Sequence, residues 1–477
     1  MRHALGWYRA LIVTGLYTIK KSAQLDTTSI NSYIPALKKC IHTHPMLNTT
    51  IENEGSEAPA FTQPAKLDLR NHIQIIDPKS PSYASMGELE VLQRVTLETH
   101  DQLWVDIESI PQWKVVVLPL PDEVDSTEHR IYILYAYSHT HGDGKSGLAF
   151  HKSLLQGLQT RDDQYDQDPI YQCRRSPFPP PLEEVCELRI SWSFLLSTLF
   201  GAHLPGFLCN WLDLQPSGCP SPRVYLGIPM RHNPDNFHTG CRILIVDKAL
   251  LESVLATCRE HHAKLTGLLN QLVVRALSKA LPPESDEESF IGQIVVDLRS
   301  MIPAYSNDTM GNCVSAIHET SPRFRGDSGY DDMFWEAVRR TTSRLAGAAG
   351  TLDDQPVGLL KYLSNYRGWF SQKLGQNRDS SYEISNLGVF DPSLVNESDA
   401  ALHAPRRDDG SWRIQRMVFS QPANVTASPL NFQAVTTVGG EMVVTLSWQV
   451  GVLGVADEDV LTADIMANIE ESLRNIV

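Results

Sequence analysis

The chain has 477 residues, of which 42% are hydrophobic, 20% charged and 8% aromatic. That is room for two or three compact units with sizeable cores, and the balance excludes a disordered tail or a fibre. Lys and Arg number 41 against 56 Asp and Glu, a net charge of −15, which argues against nucleic-acid binding because that needs a basic footprint.

The apolar stretch from Ala10 to Tyr17 is too short for a signal peptide, contains Thr14 and Gly15, and runs into Lys20 and Lys21. Residues 10–19, ALIVTGLYTI, read as a strand. Thr28 to His44 has helical spacing, with Ile30, Ile34, Leu37 and Ile41 on one face. Trp113–Leu120 and Arg130–Tyr137 read as strands, and the second is apolar on both faces, which places it centrally in its sheet. Between about 160 and 222 come an acidic run, a proline-rich break (SPFPPPLEE), an apolar stretch from Ile190 to Leu212, and QPSGCPSP. This is the best linker in the chain. Ser, His and Pro interrupt the apolar stretch, so it reads as a buried or substrate-facing crossover and not a spanning helix. Weak contact of 190–212 with a membrane surface is the alternative.

The second half restarts with a strand at 241–248, a helix at Leu265–Leu281 and a buried strand at 290–298. NFQAVTTV and EMVVTLSW form a hairpin across Gly439-Gly440, with Met442, Val444, Leu446 and Trp448 on one face. A last helix follows Asp457 as N-cap and buries Leu461, Ile465, Ile469, Leu473 and Ile476. The alternation predicts a mixed α/β fold, with an N-terminal lobe at 1–175, a crossover linker at 176–222 and a C-terminal lobe at 223–477. The eight cysteines show no CxxC spacing, which leaves neither a zinc knuckle nor a dithiol motif. They read as reduced thiols in the cytoplasm.

Candidate chemistry sits after the central strand, in Ser138-His139-Thr140-His141-Gly142-Asp143-Gly144. A loop at a strand end presents side chains to a crevice, where α/β sites lie. His139 can act as a general base near neutral pH, and the glycines let the chain turn around Asp143. The same string also fits a solvated histidine and an aspartate capping the next helix. Downstream, the strand at 290–298 ends in Arg299-Ser300-Met301, with Met310-Gly311-Asn312 beyond. A buried arginine there needs a carboxylate, for which Asp143 is a candidate; an exposed Arg299 is the alternative.

HTHGDG (139–144), VDLRSMIP (296–303) and MGN (310–312) together resemble the acyl-CoA-dependent acyltransferases of the chloramphenicol acetyltransferase-like superfamily. LGWYRALIVTGLY (5–17), DGKSGLAFHKSLL (143–155), KLTGLLNQL (264–272), EISNLGVF (383–390) and FSQPANVTASPLNF (419–432) are similar to blocks of its fungal alcohol O-acetyltransferase branch, in the same order. The resemblance implies a two-lobe fold, each lobe a mixed sheet flanked by helices, with an active-site tunnel between them. It implies transfer of an acyl group, acetyl in that branch, from acyl-CoA to a hydroxyl or amine of a small apolar or secondary-metabolite acceptor. No permanently bound cofactor and no metal are implied. His139 matches the family's base, Asp143 its structural aspartate and Arg299 the arginine pairing with it, with Gly144 in support.

Ser420, Gln421 and Asn424 are candidates for stabilising the oxyanion, although a turn before a strand explains the same residues. Lys264 is the candidate for the CoA phosphates, against an ordinary exposed helical lysine. The net charge must then be unevenly spread, with a local basic mouth for CoA. The plant branch's DFGWG is missing, and Ser138 stands where condensation domains carry a second histidine. His141 reads as a filler of the loop and His151 as packing. The competing reading keeps the fold and changes the chemistry to condensation or cyclisation on a carrier-bound or other non-CoA substrate, with a carrier protein as partner.

Overall fold

A computed structural model describes residues 2–477 except 24, 57, 84, 123–125, 161–164, 201–222, 327–328 and 394–411; at 198–200 only the backbone is described. The first run of elements is β1 (Leu11–Lys20), α1 (Ile34–Thr43), β2 (Ile73–Ile75), α2 (Glu88–His100), β3 (Trp113–Pro119), β4 (Glu128–Tyr137) and α3 (Gly144–Gln159). The second begins with β5 (Thr239–Val246), α4 (Lys248–Glu260), α5 (Leu265–Ala280), β6 (Ser289–Asp297), β7 (Val314–Pro322) and α6 (Asp332–Ala348). It ends with β8 (Tyr382–Phe390), β9 (Arg413–Ser420), β10 (Leu430–Thr437), β11 (Met442–Gln449) and α7 (Glu458–Asn475).

The first sheet has the order β9-β1-β4-β3-β2, all antiparallel except β2 with β3. β4 is its middle strand, as its two-faced apolar pattern requires. Val13, Tyr17, Ile133 and Tyr135 point to the core under α1 and α3. The alternate residues Ile12, Leu16, Val116 and Leu134 meet Leu92 and Val95 of α2, and that core reaches Val443 of β11. The helix expected from Thr28 begins later. A 3-10 turn at Ile30–Ser32 precedes α1 because Pro35 has no N–H to offer a longer helix and suits only its first turn.

The second sheet has the order β7-β6-β8-β10-β11-β5, with β8 parallel to both β6 and β10. Helices α4 to α7 cover one face of it in a single core. The hairpin of β10 and β11 turns where expected, with Gly439 at φ +64°. β5 ends at Val246, two residues before the expected limit, because Asp247 caps α4 by accepting from the Leu250 N–H.

β9 lies in the span expected to form the C-terminal lobe, yet it pairs antiparallel with β1, from Ile12 with Ser420 to Thr18 with Arg413. Without it β1 would offer an apolar unpaired edge. The two sheets therefore do not divide at the linker. Residues 201–222 of that linker lie outside the described residues, and with them much of the stretch weighed for membrane contact. Among the described residues no helix is long and apolar enough to cross a membrane.

Candidate active site

The loop after β4 is fixed at both ends. The Tyr137 hydroxyl donates to the Asp143 carbonyl (2.6 Å), and the Asp143 carboxylate caps α3 by accepting from the Ser146 N–H (3.2 Å). A Cβ on Gly144 would sit 2.5 Å from Leu387 and 2.9 Å from Phe419, so the start of α3 lies tightly against β8 and β9. Asp143 and Arg299, each 2% exposed, meet in a two-pronged pair: Nη1 to Oδ2 and Nη2 to Oδ1, both 2.8 Å. The Cys313 N–H adds a third donor to Asp143 (3.0 Å), and Arg299 also donates to the carbonyls of Thr309 and Gly311 (3.2 and 3.0 Å). Burial pushes the Asp143 carboxyl up, but the Arg299 charge and the donors outweigh it and hold it below the usual range. The same pairing raises Arg299 despite its burial.

His139 stands on this loop with its ring leaning on Tyr8, centroids 5.4 Å apart at 57°. Asn312 Nδ2 donates to its backbone carbonyl (2.7 Å). Burial, helped by the Arg2 charge, lowers its pKa; its own backbone carbonyl, Asp143 and Asn312 oppose this without reversing it. The imidazole is therefore neutral near pH 7, the form that can take a proton.

His139 opens onto a cavity of about 300 Å³ between the sheets, walled by α3 through Lys145, by β6 and β7, by β8 and by the chain after β9. One wall carries a polar chain. The Tyr8 hydroxyl donates to Gln421 Oε1 (2.7 Å), Gln421 Nε2 donates to Glu383 Oε1 (2.7 Å), and Gln293 Nε2 donates to Glu383 Oε2 (3.4 Å). Burial raises the Glu383 pKa, only partly offset by Gln421 and Arg2. A larger cavity of about 730 Å³ lies beside the start of α7. It holds none of the motif residues, and its Glu458 is already satisfied by Trp448 Nε1 and the N–H groups of Gly451 and Leu453. Chemistry, not size, picks the smaller cavity.

The three oxyanion candidates separate. Ser420 faces away, its hydroxyl bonded to His100 Nε2 (2.7 Å), because alternation along β9 turns Phe419 and Gln421 toward the cavity and Ser420 to the other side. Gln421 lines the cavity with its amide engaged at both ends. Asn424 also lines it; its Oδ1 accepts from the Thr426 N–H (3.2 Å), so the donor the side chain has left to offer is Nδ2. Lys264 is exposed at the N-cap of α5 and does not line the cavity, although Thr266 two residues on holds Asn386 of its wall (3.0 Å). His141 is buried and donates to the Thr49 carbonyl (2.9 Å), and His151 is bonded to Tyr17 and the Val13 carbonyl (2.8 and 2.9 Å).

Arg2, Tyr8, Glu383 and Asn312 went unassigned in the sequence. For Glu383 a signal was present: the one charged residue in the strand YEISNLGVF, inside a block already singled out. Among the described residues no group of three or more His, Cys, Asp or Glu side chains is placed to hold a metal.

The chain matches the family described as alcohol acetyltransferase over residues 70–465. It is 25% identical over 470 residues to the probable alcohol acetyltransferase FCK4 of Fusarium pseudograminearum, covering 94% of this chain and 88% of that protein. To the probable alcohol acetyltransferase crmB of Aspergillus fumigatus it is 23% identical over 475 residues, covering 94% and 93%. Among solved structures it is similar to TRI3 trichothecene 15-O-acetyltransferase of Fusarium sporotrichioides, with a TM-score of 0.69 at 12% identity over 100% of this chain and 93% of that one. The EpoB cyclization-docking bidomain of Sorangium cellulosum gives a TM-score of 0.55 at 15% identity over 98% and 80%. These structural likenesses establish the two-sheet chloramphenicol acetyltransferase-like fold.

Proposed function

The chain belongs to the alcohol acetyltransferase family and is an acyltransferase, and on that footing we propose that it moves an acetyl group from acetyl-CoA to a hydroxyl of a small acceptor. The observation that carries this reading is His139 opening onto the cavity between the sheets, on a loop held by the buried Asp143–Arg299 pair. The donor set suits a thioester carbonyl: Asn424 lines the cavity with its Oδ1 engaged by Thr426, and Lys145 and Arg2 add cations to the wall.

His139 takes the proton of the acceptor hydroxyl as that oxygen attacks the carbonyl carbon. The new C–O bond forms, the C–S bond breaks, and His139 returns the proton to the leaving thiolate. A base so placed is worth about 10²–10⁴ in rate. Asn424 stabilises the charge that gathers on the carbonyl oxygen, and Asp143 and Arg299 position the loop without touching the reacting atoms.

The test is thiol release from acetyl-CoA with a panel of alcohols and amines. Wild type is expected to release thiol at least about 100-fold faster than His139→Ala with its preferred acceptors. Equal rates for the two proteins with every acceptor would refute the reading. Release only from a carrier-bound thioester would move the chemistry to the condensation type.

A further inference from the structure

Glu383 ends in the wall of the His139 cavity and is 9% exposed. Two amides hold it, Gln421 Nε2 at 2.7 Å and Gln293 Nε2 at 3.4 Å. Among the described residues no cation forms an ion pair with it, and Arg2 acts on it only through space. Asp143, in the same cavity, has a guanidinium on both oxygens and a backbone N–H besides. A carboxylate accepts about four hydrogen bonds, so roughly half of the capacity of Glu383 is unused and faces space that substrate enters.

A mere brace joining β6, β8 and the end of β9 needs no carboxylate. Glutamine could hold the same two amides with far less desolvation, with the Gln293 amide turned to present its Oε1. A carboxylate at this place suits a partner that arrives from the cavity.

We propose that Glu383 binds the acceptor through a second hydrogen-bond-donating group, a hydroxyl or an ammonium, distinct from the hydroxyl that is acetylated. The acceptor class is then a diol or an amino alcohol, not a simple monofunctional alcohol. The proposal rests on the acetyltransferase reading and deepens it. The wall is mixed: Ser385 and His318 border this space beside Val295, Val314, Leu387 and Phe419, which suits an acceptor with a polar group at the Glu383 end and apolar surface along the rest. Tyr8 ties base to anchor, since its ring leans on His139 while its hydroxyl holds the Gln421 amide that holds Glu383.

The experiment compares kcat/KM for acetyl-CoA-dependent thiol release with α,ω-diols and amino alcohols of graded length against the matching mono-alcohols. In wild type the best two-headed acceptor is expected to exceed its mono-alcohol by about 10- to 100-fold, the worth of a hydrogen bond to a charged group. In Glu383→Gln that ratio should shrink toward unity, chiefly through a higher KM for the two-headed acceptor, and Glu383→Asp should recover part of it. Mono-alcohols turned over as fast as their diols by wild type would overturn the proposal, and this comparison needs no variant to fold. An unchanged ratio in a folded Glu383→Gln protein overturns it as well. If no acceptor gives thiol release that depends on His139, the acetyltransferase reading itself has failed, which is a separate result from lost selectivity.

Discussion

Asp143 and Arg299 form a buried pair, and Asp297 is a second, less buried partner of the arginine. Both sit out of water, so removing Arg299 strands the Asp143 carboxylate at a cost of about 3–5 kcal/mol, whereas without Asp143 the guanidinium keeps Asp297 at 3.0 Å and less is lost. Denaturant unfolding should show a stability loss of that size for Arg299→Ala and a smaller one for Asp143→Ala, each together with lost activity. The double variant Asp143→Ala/Arg299→Ala should lose clearly less than the sum of the two single losses, because it leaves no lone charge. Additive losses would mean that the pair is not coupled. Both residues were readable from the chain, since each closes a strand-to-loop transition whose chemistry demands a partner. Glu383 and Tyr8 were not, because their meaning depends on β6, β8 and the chain after β9 converging on one wall. Ser420 was misjudged for a smaller reason: a shift of one residue along a strand exchanges cavity for core.

At the scale of elements, α3 is wedged by its glycines. A Cβ on Gly147 would lie 2.2 Å from Cγ2 and 2.7 Å from Cβ of Val13, on β1; one on Gly157 would lie 2.9 Å from the Ala36 Cα of α1. Glycine to alanine within a helix normally stabilises by about 1 kcal/mol. Here overpacking reverses the sign, and Gly147→Ala should lower stability by about 1–3 kcal/mol in a denaturant titration. A rise in stability would mean that α3 can lift off the sheet freely. Periodicity disclosed β4, the hairpin and the last helix, because each buries one defined face over many residues. It overstated α1, where a proline outweighed the apolar spacing, and gave no hint of the sheet β9 joins, since strand pairing across 400 residues leaves no local trace.

At the scale of the molecule, five histidines among the described residues, His44, His72, His100, His141 and His151, each have the pKa pushed down to about 4 by burial. Their folded pKa lies below the unfolded value of about 6.5, so as pH falls the unfolded chain takes up protons first. Stability is lost from about pH 6.5 down to about pH 4, at about 1.4 kcal/mol per pH unit for each fully titrating group. Urea midpoints should drop steeply between pH 7 and pH 5, before carboxylates such as Asp143 with depressed pKa begin to protonate; a flat profile would mean that these imidazoles reach water. The place of β9 bears on how such a molecule is made. At about 5–20 residues per second, the ribosome releases β1 and β4 tens of seconds before it reaches 413–420. Through that interval the apolar flank of β1 stands open to a neighbouring chain. The first sheet is thus completed only after the strands β5 to β8 of the second have been made, and the edge of β1 has to stay covered until residues 413–420 emerge.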